Sequence, residues 1–352
     1  MTSVIDNTGA HMRRREALRG QLEARVAGKA KPIGALGRVE ALAIQIGLVT
    51  GSLTPDLGPA KIVVFAGDHG ITAEGVTAYP SVVTREIAKL ILARGAGINV
   101  CARAAGADVV LVDAGLLEPL DAHPGLIARR IAGGTANARR GPAMTATQRD
   151  QALASGDAIV RDIAGGGSRL IAFGEVGIGN TSAAAMLAHA VTGLPIDGLA
   201  GNGAGVPALG LDHKRAVLRG AVARAAIPNG TPAARADAAL AEFAGFEMVM
   251  MAGAYQSAAR CGCIIVVDGF IATAVAAAAI ARDPRVAEHC VFAHCSAEAG
   301  HRVLLAHLGA EPLLTLGLRL GEGTGAALAL PIVRAAELML RDMADLPGEH
   351  PQ

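Results

Sequence analysis

Short β-branched runs alternate along this chain with longer stretches whose apolar residues recur at helical spacing. Residues 12–27 and 38–50 carry the helical pattern before any strand begins. "KIVVFAGD" (61–68) predicts the first strand, a compact apolar run ending in Gly-Asp. Residues 82–105 predict one long helix, and "ADVVLVDAG" (107–115) the next strand. "LIARRIAGG" (126–134) predicts another. An amphipathic helix follows over 145–164, with Thr145 or Thr147 as its cap. "SRLIAFGE" (168–175) predicts a strand that runs through a glycine turn into the helix "SAAAMLAHAVTG". "GCIIVVDGF" (262–270) is the last clear strand, and an alanine-rich helix is expected from about Thr324.

Strands separated by long helices imply an α/β protein, in which a parallel sheet is joined by helical crossovers. Ligands of such sheets bind beyond the carboxyl ends of the strands. Asp68-His69, Asp113, Glu175 and Asp268 all fall at strand ends of this kind. The helices before residue 60 and after 323 flank the sheet region and can pack as a small helical domain built from both ends. The expected division is 60–322 for the large domain and 1–59 together with 323–352 for the small one.

Composition narrows the function. The 352 residues are enough for one large or two modest domains. Hydrophobic residues make up 52%, aromatics 2%, and Trp is missing, so Ala, Val, Leu and Ile must build the core. A net charge of +1 gives no attraction to nucleic acid or to an acidic membrane. Two Tyr and six Phe leave little for stacking bases. The start, "MTSVIDNTGAHMRRREALRG", lacks the apolar run of a signal peptide. The longest apolar run, "IATAVAAAAIA" (271–281), is too short for a bilayer. Cys101, Cys261, Cys263, Cys290 and Cys295 form an odd set without framework spacing, which predicts reduced thiols and a cytoplasmic location. Cys261-x-Cys263 has no second ligand pair at zinc-like spacing, and no metal is expected.

"FGEVGIGNTSAAAML" (173–187) is the strongest local signal. A strand enters Gly-x-x-Gly-x-Gly-Asn-Thr-Ser and then a helix. Glycines let backbone N–H groups approach an anion, and the helix start adds free donors and partial positive charge. No Lys follows the last Gly, so this is not a triphosphate loop, and Gly174 and Gly177 are too far apart for a dinucleotide fingerprint. A monophosphate is the expected ligand. A second glycine-rich loop, "GNGAGVPALGLDHKRAVL" (201–218), brings Lys214 near a helix start, where it is either a phosphate ligand or a solvated cation. Ser296, in "HCSAEAGHRVLLAHL", is placed to donate to a ligand; His294, His301 and His307 beside it read as capping or surface residues. Glu322 stands between Gly321 and Gly323 in "RLGEGTGAALALPIV" (319–333). The glycines make room for a flat ligand, the helix from Thr324 favours the ionised form, and such a carboxylate is a general base.

"KPIGALGRVE", "AGDHGI", "GEVGIGNTS", "GFEMVMMAGA", "VDGF", "SAEAGHR" and "RLGEGTGAALALPIV" together resemble the nicotinate-nucleotide–dimethylbenzimidazole phosphoribosyltransferase family, from about residue 29 to about 343. The resemblance implies a Rossmann-like parallel sheet with helices on both faces, a small helical domain and a homodimer. It implies transfer of 5-phosphoribose from nicotinate mononucleotide to 5,6-dimethylbenzimidazole, giving α-ribazole 5′-phosphate and nicotinate. Glu322 matches the family's base. Glu175, Gly177, Gly179, Asn180, Thr181, Lys214 and Ser296 match its nucleotide site, with Glu175 expected at the ribose hydroxyls. Tyr79, Ile87, Leu320 and Gly321 would line the base pocket. Tyr79 and Ile87 stand where some members carry a small polar residue and a Gln, so the preferred base is open. The chemistry needs no cofactor: nicotinate leaves neutral at its ring nitrogen, and no pyrophosphate requires Mg²⁺. Two other classes fit parts of the sequence. One is a metal-dependent hydrolase using Asp68, His69 and Asp113; the other is a non-catalytic binder of benzimidazole nucleosides.

Overall fold

The computed structural model describes residues 2–203 and 208–346. Its centre is a six-stranded sheet: β1 (Ala60–Gly67), β2 (Asp108–Gly115), β3 (Leu126–Ala128), β4 (Leu170–Val176), β5 (Ile264–Val267) and β6 (Cys290–Phe292). The order is β3-β2-β1-β4-β5-β6, and every neighbouring pair is parallel. The chain therefore builds outward from β1 on one side, returns to the middle, and builds outward on the other. This is the doubly wound order, and its crevice lies where the direction reverses, between the carboxyl ends of β1 and β4.

Alternation along each strand sorts the core into two layers. Val63, Phe65, Ile171, Phe173, Ile265 and Val267 face one layer. Ile62, Val64, Leu170, Ala172, Ile264 and Val266 face the other. Helices Ala146–Gly165, Asn180–Thr192, Phe246–Arg260 and Phe270–Arg282 cover the first face. Helices Val82–Leu92, Gly97–Ala104 and Thr324–Asp342 cover the second, together with Arg38–Thr50 and the end of Thr2–Ala27. The two chain ends meet there: Ala30 N–H donates to Ala344 O at 2.8 Å, and Leu346 N–H to Gly28 O at 2.9 Å.

Several elements differ from the sequence reading. The predicted helix 82–105 is two helices, Val82–Leu92 and Gly97–Ala104, parted at Arg94, whose φ is +61°. Helical periodicity continues across the break, so hydrophobic spacing cannot reveal it. The strand expected over 126–134 shortens to Leu126–Ala128; Arg129 and Ile131 still donate to β2 carbonyls, but the chain then turns away. β5 was not the last strand. Cys290–Phe292 adds a sixth, a three-residue segment below the length at which alternation is visible.

Candidate active site

At the carboxyl end of β4, the segment Gly321–Gly323 lies against Gly174 and Glu175. Glu322 has a φ of +61°, between Gly321 at +82° and Gly323 at +87°. Three successive left-handed residues explain the glycines: side chains there are disfavoured, and a non-glycine residue in this region costs on the order of 1 kcal/mol. Space is also short. A methyl on Gly321 would lie 2.7 Å from Glu175 Oε1, and one on Gly323 would lie 3.1 Å from Ile62 Cγ2. The flanking glycines therefore serve backbone shape and packing.

Glu322 N–H donates to Glu175 O at 3.1 Å, which ties the segment to the end of β4. Gly174 permits that approach. A methyl at Gly174 would sit 2.4 Å from both the Glu322 carbonyl carbon and the Gly323 nitrogen. Gly174→Ala is therefore expected to cost on the order of 1–3 kcal/mol in stability, since both obstacles are backbone. It should also lower turnover by moving Glu322. Denaturant melts with normal midpoint and normal turnover would show that the loop yields freely.

The Glu322 carboxylate is buried. Its Oε2 accepts from Ile98 N–H at 3.3 Å, at the start of helix Gly97–Ala104. Here the sequence reading is corrected: the helix start that touches this carboxylate is not that of Thr324–Asp342. Asp268, at the end of β5, caps that second helix, accepting from Gly323 N–H at 3.2 Å and Ala326 N–H at 2.8 Å. Burial raises the Glu322 pKa, the Ile98 N–H pulls it back, and the Asp268 charge pushes it up again. A raised carboxylate pKa is what a base working near neutrality requires.

Glu175 is buried beside it. Burial, and then the charges of Asp268, Glu247 and Glu322, raise its pKa well above the usual carboxylate range. The Glu322 charge is one of the like charges that oppose ionisation of Glu175. Asn180 Nδ2 donates to Glu175 Oε2. Asn180 thus links Glu175 to the cleft at the start of helix Asn180–Thr192.

A cleft opens at the start of the helix that follows β4. Gly177, Gly179, Asn180, Thr181, Gly203 and Lys214 line a cleft at the start of helix Asn180–Thr192, which no side chain caps. Ile178 N–H is anchored to Thr84 Oγ1 at 3.0 Å. Lys214 is 1% exposed. Among the described residues its Nζ meets the Thr181 hydroxyl at 3.0 Å and pairs with no carboxylate. Burial lowers its pKa from 10.5 to about 8, against a weaker opposing pull from Glu298. The solvated-cation alternative for Lys214 thus falls away.

Other sequence candidates scatter. Tyr79 and Leu320 are half-exposed, at 50% and 60%, and Leu320 lies against Gly97. Ile87 packs into the core layer under helix Val82–Leu92. Asp68 Oδ2 accepts from Leu117 N–H and Asp113 Oδ1 from Leu116 N–H, while His69 packs against Gly177 and Gly179 with its Nε2 2.8 Å from Glu247 Oε1. The Glu247 and Asp68 charges outweigh burial and leave the His69 pKa raised. Among the described residues no three His, Cys, Asp or Glu side chains are grouped to hold a metal. His294 and His301 are buried, not the surface or capping residues that their spacing suggested. Sequence also passed over Asn202, Gly203 and the role of Asp268; the glycine loop at 201–203 and the strand-end position of Asp268 were the available signals.

A cleft with a buried lysine at a helix start, and two buried carboxyl groups of raised pKa at the strand ends nearby, give this α/β protein the features of an enzyme active site. The family described as phosphoribosyltransferase, DBI_PRT, matches residues 12–347. The nicotinate-nucleotide–dimethylbenzimidazole phosphoribosyltransferase of Cupriavidus taiwanensis is 50% identical over 333 residues, covering 95% of each chain. That of Dechloromonas aromatica is 47% identical, covering 92% of each. The crystal structure of CobT from Thermus thermophilus superposes with a TM-score of 0.89 at 42% identity, covering 94% of this chain and 97% of that one. The chain belongs to the nicotinate-nucleotide–dimethylbenzimidazole phosphoribosyltransferase family. No helix among the described residues is long and apolar enough to cross a membrane.

Proposed function

We propose that this enzyme transfers 5-phosphoribose from nicotinate mononucleotide to 5,6-dimethylbenzimidazole or a related base, with Glu322 as general base. The observation that carries the reading is the pairing of two unmatched groups across one crevice. Lys214 is buried, with no carboxylate paired to its Nζ among the described residues, and Glu322 is a buried carboxylate whose pKa is raised. A buried charge is costly unless something pairs with it, and a 5′-phosphate supplies the partner. With the phosphate on Lys214, Thr181 and the Gly177–Gly179 turn, the ribose reaches toward Glu175 and C1′ toward Glu322.

One nitrogen of the benzimidazole attacks C1′. The C1′–N bond to nicotinate breaks, its electron pair neutralising the pyridinium nitrogen. The other benzimidazole nitrogen loses its proton to Glu322. Proximity supplies much of the rate, because both reactants are held by groups fixed before binding. Incubation with both substrates and EDTA, followed by chromatography, should yield α-ribazole 5′-phosphate. No product from neutral to alkaline pH would sink the assignment.

We infer also that the enzyme is a cytoplasmic homodimer, with 60–322 as its large domain and 1–59 with 323–352 as its small one. Exposed Ile33, Tyr79, Leu316 and Leu320 support a partner surface, and sedimentation at the monomer mass would exclude it. Tyr79, Ile87, Leu320 and Gly321 are retained as the base pocket, whose apolar character favours stacking on the ring.

A further inference from the structure

The Asp68-His69 pair at the end of β1 has no part in the transfer described above, yet His69 packs against the turn that follows β4. A methyl on Gly177 would sit 3.2 Å from His69 Nε2 and would collide with Gly67 O. One on Gly179, whose φ is +98°, would sit 3.2 Å from His69 Cβ and 2.9 Å from Thr72 Cγ2. Both glycines line the same cleft as Lys214. The end of β1 therefore presses against the backbone of this turn, and the two glycines let it come so close.

His69 is buried, and its ring meets Glu247, which is fully buried. Glu247 stands in the first turn of helix Phe246–Arg260. Its side chain folds back over the helix start, where methyls on Gly67 or Gly245 would collide with its carboxylate. His69 Nε2 lies 2.8 Å from Glu247 Oε1. The contact is ionic rather than a well-aligned hydrogen bond, and among the described residues neither Glu247 oxygen has a hydrogen-bond partner. A buried carboxylate is costly unless a charge balances it, and removing one member of such a pair strands the other. Burial pulls the His69 pKa down, but Glu247, and then Asp68, more than offset it, so the ring is held as imidazolium. Asp68 is itself engaged by Leu117 N–H at 2.9 Å.

We propose that His69 and Glu247 form a buried ion pair that holds the Gly177–Gly179 turn in the shape that receives the nucleotide's phosphate, which makes His69 a positioning residue for that substrate. The inference rests on the nucleotide reading above. An ion pair carries little net charge, so it acts on the phosphate through the shape of the turn and not as a second Lys214. Ile178, between the two glycines, has its N–H committed to Thr84 Oγ1 at 3.0 Å, so the turn is held from within the protein at both its glycines and its middle.

The test compares wild type with His69→Gln, Glu247→Gln and the double variant on nicotinate mononucleotide and nicotinate riboside. Gln at position 69 keeps a donor but loses the charge. His69→Gln should cut the kcat/KM preference for the phosphorylated substrate roughly tenfold, as for one hydrogen bond, with KM for the base unchanged. Lowered stability with the full phosphate preference intact would make the pair structural only and overturn the proposal. A wild type that does not distinguish the two substrates would overturn the nucleotide reading as well, so the two failures are told apart. If His69→Gln does not fold, the double variant, which strands no carboxylate, carries the same comparison. The double variant should lose less in melting temperature than the two single losses together, and additive losses would overturn the ion pair. Independently of activity, ¹⁵N NMR at pH 7 should find both His69 nitrogens protonated in wild type and a neutral ring in Glu247→Gln. A neutral ring in wild type, or one still charged without Glu247, refutes the pair.

Discussion

Glu322→Gln should leave the protein folded and able to hold the base while kcat falls by roughly 10²–10⁴-fold. Gln keeps the length of Glu and an acceptor oxygen for Ile98 N–H, so the start of helix Gly97–Ala104 stays capped. Only the proton-accepting charge is lost. The rival reading makes Glu322 a helix-capping charge alone, with a stability loss of about 0.3–1 kcal/mol and near-normal turnover. The pKa shift separates the two by sign. A carboxyl whose pKa is raised on folding is penalised as an anion: the penalty is present above its folded value and disappears as pH falls below its unfolded value. At neutral pH the Gln variant should therefore melt at the same temperature as wild type or higher. Turnover and melting temperature measured on the same variant settle the matter. Near-normal kcat would remove Glu322 from the mechanism and leave Glu175 as the next carboxylate to test.

Lys214→Met should weaken nucleotide use and strengthen the fold. A charge-assisted contact to phosphate is worth about 1.5–3 kcal/mol, so KM for nicotinate mononucleotide should rise roughly 10- to 150-fold, with KM for the base little changed. The drop in the Lys214 pKa from 10.5 to about 8 corresponds to roughly 3 kcal/mol of destabilisation when the site is empty. That penalty is complete below about pH 8 and fades as pH rises toward 10.5, where the unfolded lysine also loses its proton. The variant's gain in melting temperature should shrink over the same range. In wild type, kcat/KM for the nucleotide should fall as pH climbs through about 8, and Lys214→Met should lack that limb. An unchanged nucleotide KM together with an unchanged melting temperature would return Lys214 to an ordinary helix residue.

The sequence determined the parallel α/β class and the central strands of its sheet. β-branched runs ending in Gly-Asp or Gly-Glu mark the strands, and Gly177–Thr181 mark the turn into the next helix through local spacing alone. These signals are local: a strand's alternation and a loop's glycines are complete within a dozen residues. Tertiary structure decided what the residues do to one another. Glu322 is 224 residues from the Ile98 N–H it meets, and Asp268 is 55 from the Gly323 it caps. The raised pKa of Glu322 and Glu175 and the lowered pKa of Lys214 arise from burial, which no spacing encodes. Desolvation and hydrogen-bond polarity depend on which distant groups the fold places within about 3 Å of one another, and they exist only once the chain has closed.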